Sequence, residues 1–155
     1  MCSSDLPSFF LQCLQGHGYN AAAAYFRRVP LDEIELLLFP INAHSHWGLL
    51  AVDLRTRKAS VYNSLTGISF SPIPADIAQF VVQLYKNKNI RTLVLIQDTP
   101  DDVPQQNNCY DCGVFVCKFA EFLSRDTPFT FSQEHMNYYR QRMIWEIVTS
   151  TVLPS

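Results

Sequence analysis

Residues 106–117 read QNNCYDCGVFVC and hold three of the five cysteines in the chain. Clustered thiols suggest a metal site, a redox pair, a nucleophile or small buried side chains. A zinc site asks for four thiolate or imidazole ligands, usually in two spaced pairs, and CYDC has neither a second CxxC nor a close histidine pair to complete the set. CYDC is formally a dithiol motif, but that chemistry wants a strand running straight into it, and here a long polar loop intervenes. A nucleophile needs a stabilised thiolate, a base, a group that orients the base and a donor for the oxyanion. Cys112 meets the first demand. It is expected at the start of a helix, where unpaired backbone N–H groups and the positive end of the helix dipole favour an anion. Gly113 beside it has no side chain to keep a substrate carbonyl from the sulfur. Cys117 is expected inside that helix as a small core residue, and Cys109 lies in the loop with no assigned role.

The base must come from elsewhere in the chain. HSHW offers two of the four histidines at the entrance to a strand, and His46, next to a large aromatic, is the choice for a ring held in fixed orientation at a cleft. The alternative is a solvent-facing histidine in a turn. Asn63, on the neighbouring strand, has an amide oxygen that could accept the imidazole N–H, or it could simply form the turn before SLTG. Gln106 could donate its side-chain NH₂ to an oxyanion, or be a surface residue of the loop.

Several elements would have to bring these residues together. LPSFFLQCLQGHGYNAAAAYFRR suggests one or two helical pieces, and the apolar run IELLLFPI a buried strand. HWGLLAVD and RKASVYNS read as two further strands, joined into a hairpin by the charged turn LRTR. PADIAQFVVQLYKNK carries Ile77, Phe80, Val81 and Leu84 at helical spacing after a proline, and RTLVLIQ returns to strand character, which suggests a crossover. TPDDVPQQNN is a loop leading into a helix expected from Cys112 to Arg125, apolar on all sides as if buried. A last helix is expected from Ser132 to Thr149, with Thr130 and Gln133 as a capping box and Met136, Tyr139, Met143 and Ile147 as its apolar face. The layout is α+β, in one domain spanning residues 1–155.

Composition sets the bounds on partners. The 155 residues are 48% hydrophobic and 17% charged, as expected for one folded domain with its own core. Twelve basic residues against fourteen acidic ones give a net charge of −2, with no basic stripe, so neither nucleic acid nor an anionic membrane is expected as partner. No stretch approaches a bilayer span, and MCSSDLPSFF lacks the pattern of a signal peptide, so the chain reads as intracellular with free thiols.

Taken together, the motifs resemble a known family. SHWGLLAVDLRTRKASVYNSL and PQQNNCYDCGVFVCKFAEFLSRDTPFTFSQEHMNYYRQRMIWEIV resemble the catalytic domain of the sentrin/SUMO-specific cysteine proteases, the SENP/Ulp family. FFLQCLQGHGYNAAAAYFRRVPLDEIELLLFPI is a fainter match to the part before the His-Trp pair. The carriers are the ordered set His-Trp, Tyr-acid-Ser (here Tyr62-Asn63-Ser64) and Gln-x-Asn-x-x-Asp-Cys-Gly. The resemblance implies a papain-like fold, a mixed sheet packed on helices with the nucleophile at the start of a central helix. It further implies Cys112 as nucleophile, His46 as general base and acid, Asn63 as the third member and Gln106 as oxyanion donor. Trp47 would help close a narrow tunnel over the Gly-Gly end of the modifier, with Asn108 and Gly113 also on the substrate side. Implied partners are SUMO and SUMO-conjugated proteins, acted on by a monomer in the nucleus, with no metal and no organic cofactor.

The sequence departs from that pattern twice. Asn63 stands where the family usually has Asp, so the negative charge that would stabilise an imidazolium is missing, and reduced activity is expected. The Trp-Leu-x-Asp segment with which family domains begin is also not found here. Besides an active SUMO protease, two readings stay open: a non-catalytic SUMO-binding domain, and a protease for another ubiquitin-like modifier.

Overall fold

The computed structural model describes residues 3–86, 94–96 and 102–153. In chain order the elements are β1 (Ser3–Asp5), α1 (Phe10–Ala23), a 3-10 turn (Ala24–Phe26), β2 (Leu36–Ala43), β3 (His46–Asp53) and β4 (Lys58–Tyr62). They are followed by α2 (Ile73–Leu84), β5 (Val94–Ile96), α3 (Cys112–Ser124), a second 3-10 turn (Gln133–His135) and α4 (Met136–Thr149). The strands form one sheet in the order β1-β2-β3-β4-β5. The central pairs β2–β3 and β3–β4 are antiparallel and the outer pairs β1–β2 and β4–β5 parallel, so the sheet is mixed.

Both faces of the sheet are covered, which is why β2 and β3 read as apolar runs rather than as alternation. Leu37, Phe39, Ile41, Leu50, Val52, Ala59 and Val61 point to one side, where they pack with α1 and α2 residues such as Phe10, Ile77 and Phe80. Leu36, Leu38, Leu49 and Ala51 point to the other, where Phe115, Phe119 and Phe122 of α3 and Met136 of α4 meet them. A one-residue slip would exchange the two sets, each fully buried side chain being worth about 1.5–3 kcal/mol, so the register is firmly specified.

The expected hairpin is present, with Asp53 opposite Lys58. Its turn is tied by Asp53 Oδ1, which accepts the N–H groups of Arg55 (2.8 Å) and Thr56 (3.1 Å). The expected crossover is also present, since β5 pairs parallel to β4 after α2; of RTLVLIQ only Val94–Ile96, and of PADIAQFVVQLYKNK only the part up to Lys86, fall within the described residues. Of the one or two helical pieces expected at the start, the structure shows two joined at Gly18, with φ 76°, a conformation open to glycine at little cost.

Three expectations need correction, and one strand has no counterpart among them. Strand β1, three residues long and polar, carries no apolar pattern and was not read from the sequence. The capping box uses Ser132 and His135 rather than Thr130 and Gln133: the Ser132 N–H donates to His135 Nδ1 at 3.0 Å, and α4 proper starts only at Met136. Cys117 faces outward and is exposed, while its neighbour Lys118 is buried, its ammonium against Glu121 and 4.0 Å over the Tyr139 ring. Finally, Met136, Tyr139 and Met143 pack on the α3 side of the core, but Ile147 is 77% exposed. It lies on their face by helical period, so α4 runs past the surface on which it packs.

Candidate active site

The β2–β3 turn delivers the histidine. Only His44 and Ser45 separate the paired residues Ala43 and His46, and both have positive φ, 52° and 60°. Two successive left-handed residues make a two-residue turn of the I′ kind, which matches the twist of the strands at some cost to side chains other than glycine. His44 is exposed in that turn, so the solvent-facing reading of a turn histidine belongs to His44. His46 opens β3 and is buried, 5% exposed.

His46 Nε2 lies 2.8 Å from Asn63 Oδ1. The far end of the amide decides which atom donates. Asn63 Nδ2 donates to the Ile68 carbonyl at 2.9 Å, and a carbonyl only accepts, so the amide oxygen must face the imidazole and Nε2 must carry hydrogen. A neutral ring then keeps its lone pair on Nδ1. The same Asn63 oxygen accepts the Leu65 N–H at 3.0 Å. Asn63 is therefore both the turn-former and the histidine's partner, the two roles that the sequence left as alternatives.

Phe70 stacks on His46, ring centroids 5.7 Å apart at 27°. Gly48 makes room for it: a Cβ there would stand 2.6 Å from the Phe70 ring and 3.3 Å from the Tyr62 carbonyl oxygen. Residues 46 and 48 share one face of β3.

Gln106 is buried, and its amide is engaged at both ends, with Ser64 Oγ donating to Oε1 at 2.7 Å and Nε2 donating to the Asn108 carbonyl. The side chain of Asn108 is occupied in the turn before α3. Its Oδ1 accepts the Asp111 N–H at 3.0 Å and its Nδ2 donates to Asp111 Oδ2 at 2.7 Å.

Asp111, next to Cys112, is 4% exposed and also receives Gln133 Nε2 (2.7 Å) and two Arg140 nitrogens (2.9 and 2.7 Å). Burial pushes its carboxyl up, but the hydrogen bonds from Asn108, Arg140 and Gln133 and the Arg140 charge outweigh that and hold it below the usual carboxylate range. The loop and α4 thus fix the helix start from outside.

Cys112 is the first residue of α3 and is buried, 7% exposed. Gly113 is exposed, and a Cβ there would meet nothing within 4 Å, so the space in front of it is open. Trp47 packs, half-buried, on the α3 side of the sheet, opposite to His46 on β3. Cys109 is exposed in the loop.

Sequence reading gave no part in the site to Gly48, Phe70 or Arg140, used Ser64 only as a member of the family motif, and placed Gln133 in a capping box rather than against Asp111. Ser64 and Gly48 adjoin Asn63 and Trp47, but nothing in their residue types shows what they touch. Phe70, Gln133 and Arg140 reach the site only through folding, which no local spacing records.

Residues 7–152 match the family described as the Ulp1 protease family, C-terminal catalytic domain. Sentrin-specific protease 2 of Rattus norvegicus is 37% identical over 153 residues, covering 96% of this chain and 26% of that protein. A sentrin-specific protease of Caenorhabditis elegans is 32% identical over 150 residues, covering 94% and 21% respectively. The chain therefore spans about a quarter of the length of these relatives. Among solved structures, the C-terminal Ulp1 protease domain in complex with Smt3, the yeast ortholog of SUMO, superposes with a TM-score of 0.84 at 27% identity, over 95% of this chain and 68% of that one. A Ulp1-like SUMO protease catalytic domain of Chaetomium thermophilum, 23% identical with a TM-score of 0.80 over 96% and 61%, shares the fold. The α+β architecture is that of a papain-like protease, and the chain belongs to the Ulp1 protease family.

Proposed function

We propose that this domain, residues 1–155, is a cysteine protease that cleaves after the C-terminal glycine of SUMO, both in SUMO precursors and in isopeptide links to target lysines. The observation that carries the reading is the His46–Asn63 bond, with the amide turned by Ile68 so that Nδ1 of the imidazole is left as the base. Relatives named sentrin-specific proteases and a neighbour solved with Smt3 support the choice of substrate. A nuclear site of action rests on the family resemblance alone; no helix among the described residues is long and apolar enough to cross a membrane.

In this reading His46 Nδ1 takes the Cys112 thiol proton, and the sulfur attacks the carbonyl carbon of the terminal glycine. The tetrahedral oxyanion is met by a Gln106 Nε2–H and by backbone N–H groups at the start of α3. Collapse breaks the C–N bond, and the imidazolium gives its proton to the departing lysine amine. A water molecule, deprotonated by His46, then attacks the thioester, and the sulfur leaves as thiolate and is ready for another cycle. Trp47 and the open ground before Gly113 would flank a tail too narrow for side chains. The side chain of Asn108, engaged with Asp111, would serve by shaping the loop under that tail.

The test is release of a fluorophore from the SUMO C-terminus by the purified domain. Release that Cys112→Ala abolishes is expected. SUMO binding without release would mean a binding module instead, and preferential cleavage of another ubiquitin-like modifier would move the substrate assignment.

A further inference from the structure

Ser64 is fully buried and grips Gln106 twice across 42 residues of sequence. The Gln106 N–H donates to the Ser64 carbonyl at 2.7 Å, and the Ser64 hydroxyl meets Gln106 Oε1 at 2.7 Å. A hydroxyl can donate or accept, so this contact by itself would allow either face of the amide. The other end of the amide removes the choice: Gln106 Nε2 faces the Asn108 carbonyl, which only accepts. Oε1 must then face Ser64, and the hydroxyl must donate. Only one of the two flips satisfies both contacts. Of the two Nε2 hydrogens one is spent on Asn108, and one is left over.

We infer that Ser64 is a positioning residue for the oxyanion donor, its hydroxyl holding the Gln106 amide in the flip that offers N–H rather than C=O to the reacting carbonyl. The inference rests on the protease reading of the site. A flipped amide would present its oxygen to a developing negative charge, so the bias matters most in the transition state. Ser64 directly follows Asn63, and the Asn63 carbonyl accepts Gln105 Nε2 at 2.9 Å. One two-residue segment at the end of β4 therefore sets both the tautomer of the base and the flip of the donor.

A double-mutant cycle on the SUMO–fluorophore substrate tests this. Gln106→Ala is expected to lower kcat about 10²-fold, and Ser64→Ala about tenfold with KM unchanged, the value of one buried hydrogen bond. Ser64→Ala added to Gln106→Ala should cost nothing more. If it costs the same tenfold on that background, the serine acts through something else and the inference is overturned. Nitrogen-15 NMR of the side-chain amides gives a second readout that needs no turnover. The Gln106 NH₂ signals, assigned by their loss in Gln106→Ala, should be protected from solvent exchange in the parent and lose that protection in Ser64→Ala. An unaltered Gln106 amide in Ser64→Ala would overturn the inference as well. A parent chain that cleaves no substrate would count against the protease reading alone, since the amide signals still decide what Ser64 does.

Discussion

A neutral amide beside His46 forgoes a charge but gains a hydrogen bond, because Asn63 Nδ2 donates to the Ile68 carbonyl. A carboxylate at position 63 would place an oxygen against that carbonyl with no hydrogen between them. Asn63→Asp is therefore expected to lower stability by about 1–2 kcal/mol in urea unfolding, and to leave kcat within about tenfold of the parent. In a serine triad the loss of this carboxylate costs about 10⁴; a comparable rise in kcat here would show that the missing charge limits turnover. Gly48 is the other residue whose identity is dictated by contact. Gly48→Ala drives a methyl into the Phe70 ring, which stacks on His46. Expected are a stability loss of about 1–3 kcal/mol and a fall in kcat as the ring loses its support, read by thermal unfolding and by initial rates. An unperturbed variant would mean that Phe70 gives way without disturbing His46.

Helix α3 was the most legible element, its Cys112 start and its end read from sequence within one residue. An apolar run after a polar loop determines both ends. What the sequence hid was how that start is held, since Arg140 and Gln133 come from the region around α4 and meet Asp111 only in the fold. The capping box went to Ser132 and His135 because Gln133 was already taken by Asp111 and by the Asn107 N–H. Cys117, expected in the core, is exposed, and the adjacent Lys118 is buried in its place for a similar reason. A lysine looks solvent-bound until Glu121 and the Tyr139 ring supply partners for it in the fold. The clamp has a pH signature. Asp111 titrates below the ordinary carboxylate value when folded, so its contribution is complete above the unfolded value of about 3.9 and is lost as pH falls through the folded one. Asp111→Asn should be less stable than the parent at neutral pH, with the gap closing below about pH 4. A gap that stays constant down to pH 2 would mean that the carboxylate charge adds nothing.

At the scale of the molecule, one mixed sheet with a core on each face puts His46 and Asn63 at adjacent strand ends and Cys112 at the head of a helix packed on the sheet. The apolar runs of β2 and β3 and the period of α2 disclosed that layout, whereas three-residue β1 and the left-handed turn at His44 and Ser45 left no sequence signal. Asn63 and His46 stood as candidates beside plainer readings until the family resemblance singled them out, and their shared bond and its direction needed coordinates. The most direct measurement is reaction of the domain with SUMO bearing a thiol-reactive electrophile in place of its terminal carboxyl, followed by mass spectrometry of the adduct. The expected result is a single covalent SUMO on Cys112, with Cys109 and Cys117 untouched and no adduct in Cys112→Ala. Labelling of the exposed Cys109 or Cys117 instead, or no adduct from a folded chain, would contradict the assignment of Cys112 as the nucleophile of a SUMO protease.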